Sequence, residues 1–482
     1  MGAEEGSGNG AGVPIALLAG HAGIDSAATR TNECARPVRL RGSTQLVDMA
    51  TGETRVLYSS TQELDGFAWV PCGNRRASSC PPCSTRYKAD AWQLITTGLG
   101  GGKGIPETVA DHPCTFATFT APSFGPVHGL RQRGPCRARR DKPVCVHGRA
   151  LWCTRRHHDG DPQLGEPLCA DCYDYIAHVV WQWHAPELWR RTIIALQRDL
   201  ARRCGLTVDR FKDRCTIAYS KVAEFQARGV VHLHVPIRLD GPGGPDGDPP
   251  DLPVTTADLE DAIHLTAARV RLLSAPLADG RVYRLRWGDQ IDCRTITDTA
   301  DRDSREQVPV VHPEQVGSYL AKYLTKATEA FGLPATVRSA GHARLAGATD
   351  HVVRIIEIAQ VLAGQGEAYA LLLSHLGTLG YRGHPITKSR AYSVTFGQLR
   401  RARRRWRRNP ADFAQEVDIR ELHDDDTDIP DGFQLISSWV FLGQGYLDLD
   451  QAAAAVRSAT ASRTRQSRHR TTTTTTTREA AR

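Results

Sequence analysis

Two histidines one residue apart and a predicted helix with two tyrosines contain the residue types needed to cleave a phosphodiester. Alternation along the strand Val231–Val235 places His232 and His234 on one face and their apolar neighbours on the other. Further along the chain, Tyr319 and Tyr323 are four residues apart and so face the same side of a helix, with ~6 Å between their Cβ atoms. A divalent metal beside a tyrosine nucleophile could break a phosphodiester and keep one end covalently attached.

The residues before the histidines predict a carboxylate on the same face. Ala227–Gly229 suits a three-residue hairpin loop that closes with a left-handed glycine, which places Glu224 opposite His232. A two-residue turn would instead place Phe225 opposite His232 and point Glu224 away. The three-residue turn is favoured. It predicts His232, His234 and Glu224 as ligands with open positions, a set suited to Mg²⁺ or Mn²⁺.

The tyrosine helix is predicted to run from Pro313, a good first-turn residue, to Gly332, a good stop. Its apolar stripe would be buried beside a second stripe that carries the two phenols and two lysines. The alternative is that the tyrosines only flank the core while the lysines are solvated. A nearby ammonium lowers a phenol's pKa and holds phosphoryl oxygens, which favours a catalytic role. The predicted catalytic group is Tyr319, Tyr323, Lys322 and Lys326.

The thirteen cysteines predict metal sites more than disulfides. No apolar run approaches the ~20 residues of a membrane span, and no basic region precedes the apolar run near the start. We therefore expect a cytoplasmic protein that is neither exported nor associated with a membrane, in a reducing compartment where disulfides are rare.

Two C-x-x-C pairs predict two structural zinc sites, because four protein ligands leave no open position on the metal. The predicted ligands of the first site are Cys34, Cys72, Cys80 and Cys83. The predicted ligands of the second site are Cys145, Cys153, Cys169 and Cys172. Four further side chains compete for the second site: Cys136, His147, His157 and His158.

A net charge of +8 fits a polyanionic partner. The segment 398–408 has seven arginines and no acid, so its cations would repel one another without a polyanion. A solvated helix face is the alternative to a track that binds DNA phosphates. The predicted phosphate-binding residues are Lys388, Arg390, Arg400, Arg401, Arg403, Arg404, Arg405, Arg407 and Arg408.

Composition and pattern divide the chain into five parts with an α+β content. The predicted parts are a disordered start (1–30), a cysteine-rich zinc-binding region (31–205), a catalytic core (206–335), a helical basic DNA-binding region (336–410), and an acidic patch with a low-complexity tail (411–482). The zinc-binding region includes a predicted strand at about 114–122, which the family resemblance described next makes the first strand of the catalytic fold. The acidic patch lies at 424–431 and a threonine tract at 471–477. Residues 171–200 predict a helix that breaks near Pro186.

Three segments, in this order, resemble the motifs of the HUH superfamily of rolling-circle replication initiators. They are Phe116–Pro122, His232–His234 and Tyr319–Lys326. The paired tyrosines resemble the form found in initiators of small single-stranded DNA phages. Between about Cys34 and Trp406 the chain is similar to the RepSA-like initiators of actinobacterial plasmids and integrative elements. The similarity is carried by residues 72–83, 169–175, 221–232 and 381–393. Ala117 departs mildly from the first motif, which often has a larger aliphatic residue there.

The resemblance implies an HUH endonuclease-like antiparallel sheet with helices, and metal-dependent nicking and rejoining of single-stranded DNA through a phosphotyrosine. Its partners would be double- and single-stranded origin DNA, with a host helicase and polymerase. Tyr319 is slightly favoured as the first nucleophile because it begins the motif. Two alternatives are an HUH-type transposase of the same chemistry and a non-catalytic, zinc-containing DNA-binding regulator.

Overall fold

A computed structural model describes most of the chain. The described residues are 30–63, 65–131, 133–139, 144–297, 310–325, 328–334, 336–408, 420, 432–447, 449–450, 452–453 and 455–457, without the side chains of 329, 330 and 405–408. Residues 1–29 of the predicted disordered start, the acidic patch and the threonine tract lie outside them.

Strands and helices alternate irregularly along the described residues, so the prediction of a mixed α+β content is confirmed. The strands are β1 (Val38–Asp48), β2 (Thr54–Ser59), β3 (Ala68–Val70), β4 (Cys114–Phe119), β5 (Thr216–Phe225), β6 (Val231–Asp240), β7 (Leu272–Leu273), β8 (Arg284–Leu285), β9 (Ile291–Ile296), β10 (Val310–Val311), β11 (Ile386–Lys388) and β12 (Phe433–Gln444). The helices are α1 (Pro81–Gly100), α2 (Tyr175–Arg203), α3 (Val208–Arg214), α4 (Thr256–Arg269), α5 (Pro313–Leu324), α6 (Ala340–Leu345), α7 (Asp350–Ala363), α8 (Glu367–Ala370) and α9 (Phe396–Arg408).

The chain divides into two compact units, and the first comprises its described residues up to Asp90 and from Val394 onward. Its sheet has the order β12-β1-β2, and β3 also pairs with β1. β12 runs antiparallel to the whole length of β1. The part of the chain after residue 411 was predicted to hold only an acidic patch and a low-complexity tail, so strand β12 was not expected. The reason is local composition, because Phe433–Gln444 is rich in the β-branched and aromatic residues that favour strands.

The second unit, Ala91–Ser393, contains a six-stranded sheet of order β10-β9-β4-β6-β5-β11. All pairs in it are antiparallel except β10 with β9. β4 belongs to this sheet, as the first motif predicts. β11 extends the sheet past residue 335, where composition placed the end of the catalytic core.

One face of this sheet carries the large hydrophobic core. Leu233 and Val235 of β6 belong to the same buried cluster as Trp181 and Leu188 of α2 and Ile356 of α7. The alternation of β6 therefore points its even-numbered histidines away from this core, toward the face where α5 contacts β5.

α2 is a single helix, so the predicted break near Pro186 is wrong. Asp174 caps its first turn by accepting from the amide of Ala177 at 2.8 Å. Ala185 and Leu188, on either side of the proline, are completely buried. Their packing offsets the ~3 kcal/mol that a proline costs inside a helix. Among the described residues, no helix has both the length and the apolar character that a membrane span requires.

Candidate metal centre and nucleophile

The hairpin between β5 and β6 has the predicted three-residue turn. The amide of Gln226 donates to the carbonyl of Val230 at 2.8 Å. Gly229 closes the turn with φ 78°, the left-handed conformation that glycine adopts without strain. Glu224 consequently lies opposite His232, so the predicted register is confirmed.

Glu224 brings the two imidazoles together on the face away from the core. Its Oε2 lies 2.7 Å from Nε2 of His234 and 3.1 Å from Nε2 of His232. Ligands ~2.1 Å from an octahedral metal stand roughly 3 Å apart, so these atoms are close to the spacing of a metal site. Two nitrogens and one carboxylate leave positions open for water or phosphate, and the donor set fits a divalent cation.

The electrostatics of this cluster favour the protonation states that bind metal. Burial would raise the pKa of Glu224, but its hydrogen bonds with His232 and His234 outweigh burial and lower the pKa to about 2. Burial also lowers the pKa of His234, which favours the neutral imidazole. A metal ligand must be an ionised carboxylate or a neutral imidazole.

The first sequence motif supports His234 from the neighbouring strand β4. Thr118 pairs with His234 across the two strands, and its Oγ1 lies 3.1 Å from Nδ1 of that imidazole. The ring of Phe116 stacks on the same imidazole with 5.8 Å between centroids. Contacts of this kind fix the orientation of a metal-binding histidine. The sequence placed these two residues in a motif but did not show what they do. The pairing of β4 with β6 shows that they contact the His234 imidazole.

Asp292 is a further residue that sequence reasoning missed. It lies opposite Thr118 on β9 and so shares the face of the cluster. Its negative charge raises the pKa of His234 and partly offsets the effect of burial. The sequence did not point to Asp292, because this residue is distant along the chain from every motif.

Helix α5 brings Tyr319 to the cluster. The Oη of Tyr319 lies 3.2 Å from Nε2 of His234 and 3.5 Å from Oε2 of Glu224. The ring of Tyr323 is 4.7 Å from that of Tyr319, centroid to centroid. The ammonium of Lys322 lies 5.6 Å from the centre of the Tyr323 ring. Three of the four predicted catalytic residues therefore lie together.

The fourth, Lys326, lies outside the described residues. The helix itself is shorter than predicted. α5 begins at Pro313 as expected but ends at Leu324, and a 3₁₀ turn follows at Thr328–Phe331. Thr325 ends it by donating its hydroxyl to the carbonyl of Lys322 at 3.0 Å. A threonine hydroxyl that bonds the preceding turn competes with continued helix.

The tyrosines have raised pKa values, which corrects the prediction that a lysine lowers them. Burial raises the pKa of Tyr319, and the carboxylate of Glu224 raises it further. The same two causes raise the pKa of Tyr323. The carboxylate opposes the phenolate here, and a cation held by Glu224 would remove that opposition.

The first predicted zinc cluster is assembled in the first unit. The Sγ atoms of Cys80 and Cys83 each lie 3.7 Å from Sγ of Cys34. Thiolates ~2.3 Å from a tetrahedral zinc stand ~3.8 Å apart, which matches. The amide of Cys72 donates to Sγ of Cys34 at 3.2 Å, and the hydrogen bond with Cys34 lowers the pKa of Cys72 to about 7. These four cysteines could hold a metal ion such as zinc.

The second predicted cluster has one different ligand. His147, one of the competing residues, joins the cysteines, and its Nδ1 lies 3.2 Å from Sγ of Cys172. Cys153 instead lies with Cys136, since an antiparallel bridge of Arg137 with Cys153 brings these segments side by side. The assignment of Cys153 to this cluster is therefore corrected. The observed groups are Cys145, His147, Cys169 and Cys172, and separately His128, Cys136, Cys153 and His157.

We expect Cys80→Ser to release zinc and lower solubility. Cys80 is completely buried between the other three thiols. Binding of a structural zinc contributes ~10 kcal/mol or more to folding in small zinc domains, so its loss is not tolerated. Elemental analysis and a solubility assay measure both effects. Cys204→Ser is the matched control, because Cys204 is outside every cluster of the described residues. A well-folded, soluble Cys80→Ser protein with its full zinc content would contradict the prediction.

The predicted phosphate-binding residues differ in their exposure to solvent and in the partners that their side chains bond. Arg403 is paired, since its Nη2 donates to Oδ2 of Asp90 at 2.8 Å. Lys388 donates its ammonium to the carbonyls of Arg390 and Ser393 at 3.0 and 2.8 Å, and burial lowers its pKa to about 8. The ammonium of Lys388 is thus already bonded to nearby carbonyls, and its contact with DNA stays a prediction. Arg390 and Arg400 are exposed.

The remaining arginines lie on or near the helix that the sequence predicted. Lys388 and Arg390 belong to the second compact unit, whereas α9 belongs to the first. Arg401 and Arg404 are half-buried. The side chains of Arg405, Arg407 and Arg408 lie outside the described part of the chain.

Comparisons with known proteins identify the family. A family described as "Replication initiator protein, pSAM2" (RepSA) matches residues 21–460. A replication initiator protein of Streptomyces ambofaciens is 39% identical over 433 residues, which cover 88% of this chain and 87% of that protein. No solved structure matches the chain. Since the family match spans most of its length, this chain belongs to the RepSA family of replication initiators.

Proposed function

We propose that this protein starts rolling-circle replication by nicking one strand of its origin and holding the 5′ end on a tyrosine. The observation that carries the proposal is the position of Tyr319, whose Oη lies 3.2 Å from Nε2 of His234 and 3.5 Å from Oε2 of Glu224. A phosphate bound at that cluster would be within reach of the phenol oxygen.

The arrangement of the sheet supports an HUH endonuclease-like, two-tyrosine enzyme. β4 and β6 are neighbours, which puts Thr118 beside His234. α5 contacts the adjacent strand β5 and presents both tyrosines to the same face. Three motifs that are far apart in the sequence thus supply one site.

Glu224, His232 and His234 would hold Mg²⁺ or Mn²⁺, which draws charge from the scissile phosphate. Tyr319 loses its proton and its Oη forms a bond to phosphorus. The bond from phosphorus to the 3′ oxygen breaks, and that oxygen takes up a proton in place of the one that the tyrosine released, so it leaves as a 3′-hydroxyl. The new phosphotyrosine keeps the energy of the phosphodiester, so rejoining needs no ATP.

Tyr323 supports a second transfer at the same place. It lies one helical turn after Tyr319, and its ring is 6.3 Å from the His234 ring, centroid to centroid. After one round of synthesis its Oη would attack the phosphate of the regenerated nick site, which forms a second phosphotyrosine and releases the 3′-hydroxyl of the first strand. The 3′-hydroxyl of the first strand then attacks the Tyr319 ester and closes a circle.

The charge of the chain fits the proposed DNA partners. A net +8 favours binding of origin DNA, both as a duplex and as the single strand that is cut. The exposed Arg390 and Arg400 are the best-placed phosphate contacts among the described residues of the predicted set. A host polymerase would extend the released 3′-hydroxyl, and a host helicase would open the duplex ahead of it.

Covalent capture of DNA tests the proposal. The full chain is incubated with labelled single-stranded origin DNA and Mn²⁺ and then denatured in SDS. We expect a labelled protein band that a chelator added beforehand prevents. A protein that binds the DNA but never forms this band would be a non-catalytic DNA-binding protein, and the proposal would fail.

Glu224→Gln is expected to raise the Mn²⁺ concentration needed for half-maximal nicking by about 10- to 100-fold, since the substitution keeps the shape of the ligand but removes its charge. Gln226→Glu should change it far less. Gln226 lies two residues closer to the turn, and its Oε1 accepts from Arg228 Nη2 at 2.9 Å. A metal titration of nicking measures both. Equal effects of the two substitutions would remove Glu224 as a ligand.

A further inference from the structure

The cluster of His128, Cys136, Cys153 and His157 has no part in the nicking chemistry. Its ligand atoms all lie within 4.8 Å of one another. Sγ of Cys153 is 3.5 Å from Nε2 of His157, and Sγ of Cys136 is 3.8 Å from Nδ1 of His128. The two histidine nitrogens are 3.1 Å apart. Two thiols and two imidazoles at these spacings are a tetrahedral zinc donor set.

The surroundings of the four side chains are those of a built metal site. Cys136, Cys153 and His157 are at most 8% exposed. The amide of Gly129 donates to Sγ of Cys136 at 3.3 Å, which stabilises a thiolate. Nδ1 of His157 lies 2.7 Å from a carboxylate oxygen of Asp161. A histidine that binds zinc through one nitrogen usually donates the other to a carboxylate, and this pair leaves Nε2 directed at the cluster.

The segment that carries the cluster also lies against the turn of the β5–β6 hairpin. His128 exchanges backbone hydrogen bonds with residues 165 and 166, both 2.9 Å long. A Cβ added to Gly165 would lie 2.1 Å from the carbonyl oxygen of Ala227, the first residue of the turn. Only glycine permits this approach, and Gly165 also has φ 84°.

We propose that these four residues bind a third structural zinc ion, and that the ion holds His128 and Gly165 against the hairpin that carries Glu224 and His232. His128 is the link, because its side chain is a zinc ligand while its backbone holds Gly165 in place. The residues of this site are positioning residues. Their effect on nicking rests on the proposed function, whereas zinc content and hairpin mobility do not.

Zinc stoichiometry tests the site. The full chain is purified by gel filtration in excess Mg²⁺, and its zinc is measured by elemental analysis. We expect about three zinc ions per chain, one for each cysteine-containing cluster. Cys136→Ser/Cys153→Ser should contain one fewer, and the control Cys204→Ser should equal the wild type. A double variant that keeps the wild-type zinc content would overturn the proposal.

X-ray absorption at the zinc edge tests the same site without any substitution, should the double variant fail to fold. Occupancy of all three clusters gives nine sulfur and three nitrogen ligands, whereas occupancy of the other two alone gives seven and one. A sulfur-to-nitrogen ratio near three to one is expected. A ratio near seven to one would overturn the proposal.

Hydrogen exchange tests the link to the hairpin. Gly165→Ala should keep its full zinc content yet speed exchange at the amides of Gln226 and Gly229, which close the turn. Cys136→Ser/Cys153→Ser should speed exchange at the same two amides. Unchanged exchange in the zinc-deficient variant would show that the ion does not hold the hairpin, whatever happens to nicking.

Discussion

Tyr319→Phe/Tyr323→Phe is expected to form no covalent adduct with origin DNA while still binding it. Phenylalanine keeps both rings, which pack 4.7 Å apart, and removes only the oxygens that attack phosphorus. Loss of a covalent nucleophile lowers the rate by about 10³-fold or more. SDS-resistant adduct and DNA affinity, measured on the same preparation, separate chemistry from binding.

The single variants provide the control, and they should be unequal. Tyr319→Phe should slow the first cleavage more than Tyr323→Phe does, because the Tyr319 oxygen lies beside the Glu224 and His234 ligand atoms. Either variant should keep some single-turnover cleavage through its remaining phenol. An adduct of normal yield in the double variant would mean that another residue is the nucleophile.

Loss of either histidine is expected to reduce nicking by more than about 100-fold, with different effects on stability. His232 is half-buried, so His232→Ala should leave the thermal transition within a few degrees of the wild type. His234 is 3% exposed and stacks on Phe116, so His234→Ala should cost about 1–3 kcal/mol of unfolding free energy. A nicking assay and thermal denaturation measure the two effects.

His264→Ala is the control for both histidine variants. His264 is an exposed histidine on α4, and it belongs to no ligand cluster of the described residues. It should nick like the wild type. The metal assignment would be abandoned if the His232→Ala/His234→Ala double variant nicked at a comparable rate.

The register of the β5–β6 hairpin could be predicted because the residues that determine it are close together in the sequence. A turn of three residues that ends in glycine fixes the register, and the register alone decides which residue faces His232. The grouping of Cys34 and Cys72 with the first C-x-x-C pair was likewise predicted correctly. Proximity in sequence sufficed there because β1 and β3, which lie next to these cysteines, pair with each other.

Other features depend on tertiary contacts that the sequence does not show. A backbone bridge between Cys153 and Arg137 places Cys153 beside Cys136. Its distance along the chain from the second C-x-x-C pair had suggested the wrong cluster. Lys388 was predicted to bind DNA phosphates, and the sequence did not show that it is a residue of strand β11 whose ammonium bonds nearby carbonyls. In α2, the packing of the buried residues beside Pro186 keeps the helix continuous.

Mass-spectrometric mapping of the trapped adduct identifies the residue that attacks the DNA. Wild-type protein is reacted with single-stranded origin DNA and Mn²⁺, digested with protease and nuclease, and searched for the peptide that carries the 5′ nucleotide. We expect the nucleotide on Tyr319 after a single turnover, with Tyr323 modified only in later rounds or when Tyr319 is phenylalanine. A nucleotide attached to any residue other than these two tyrosines would contradict it.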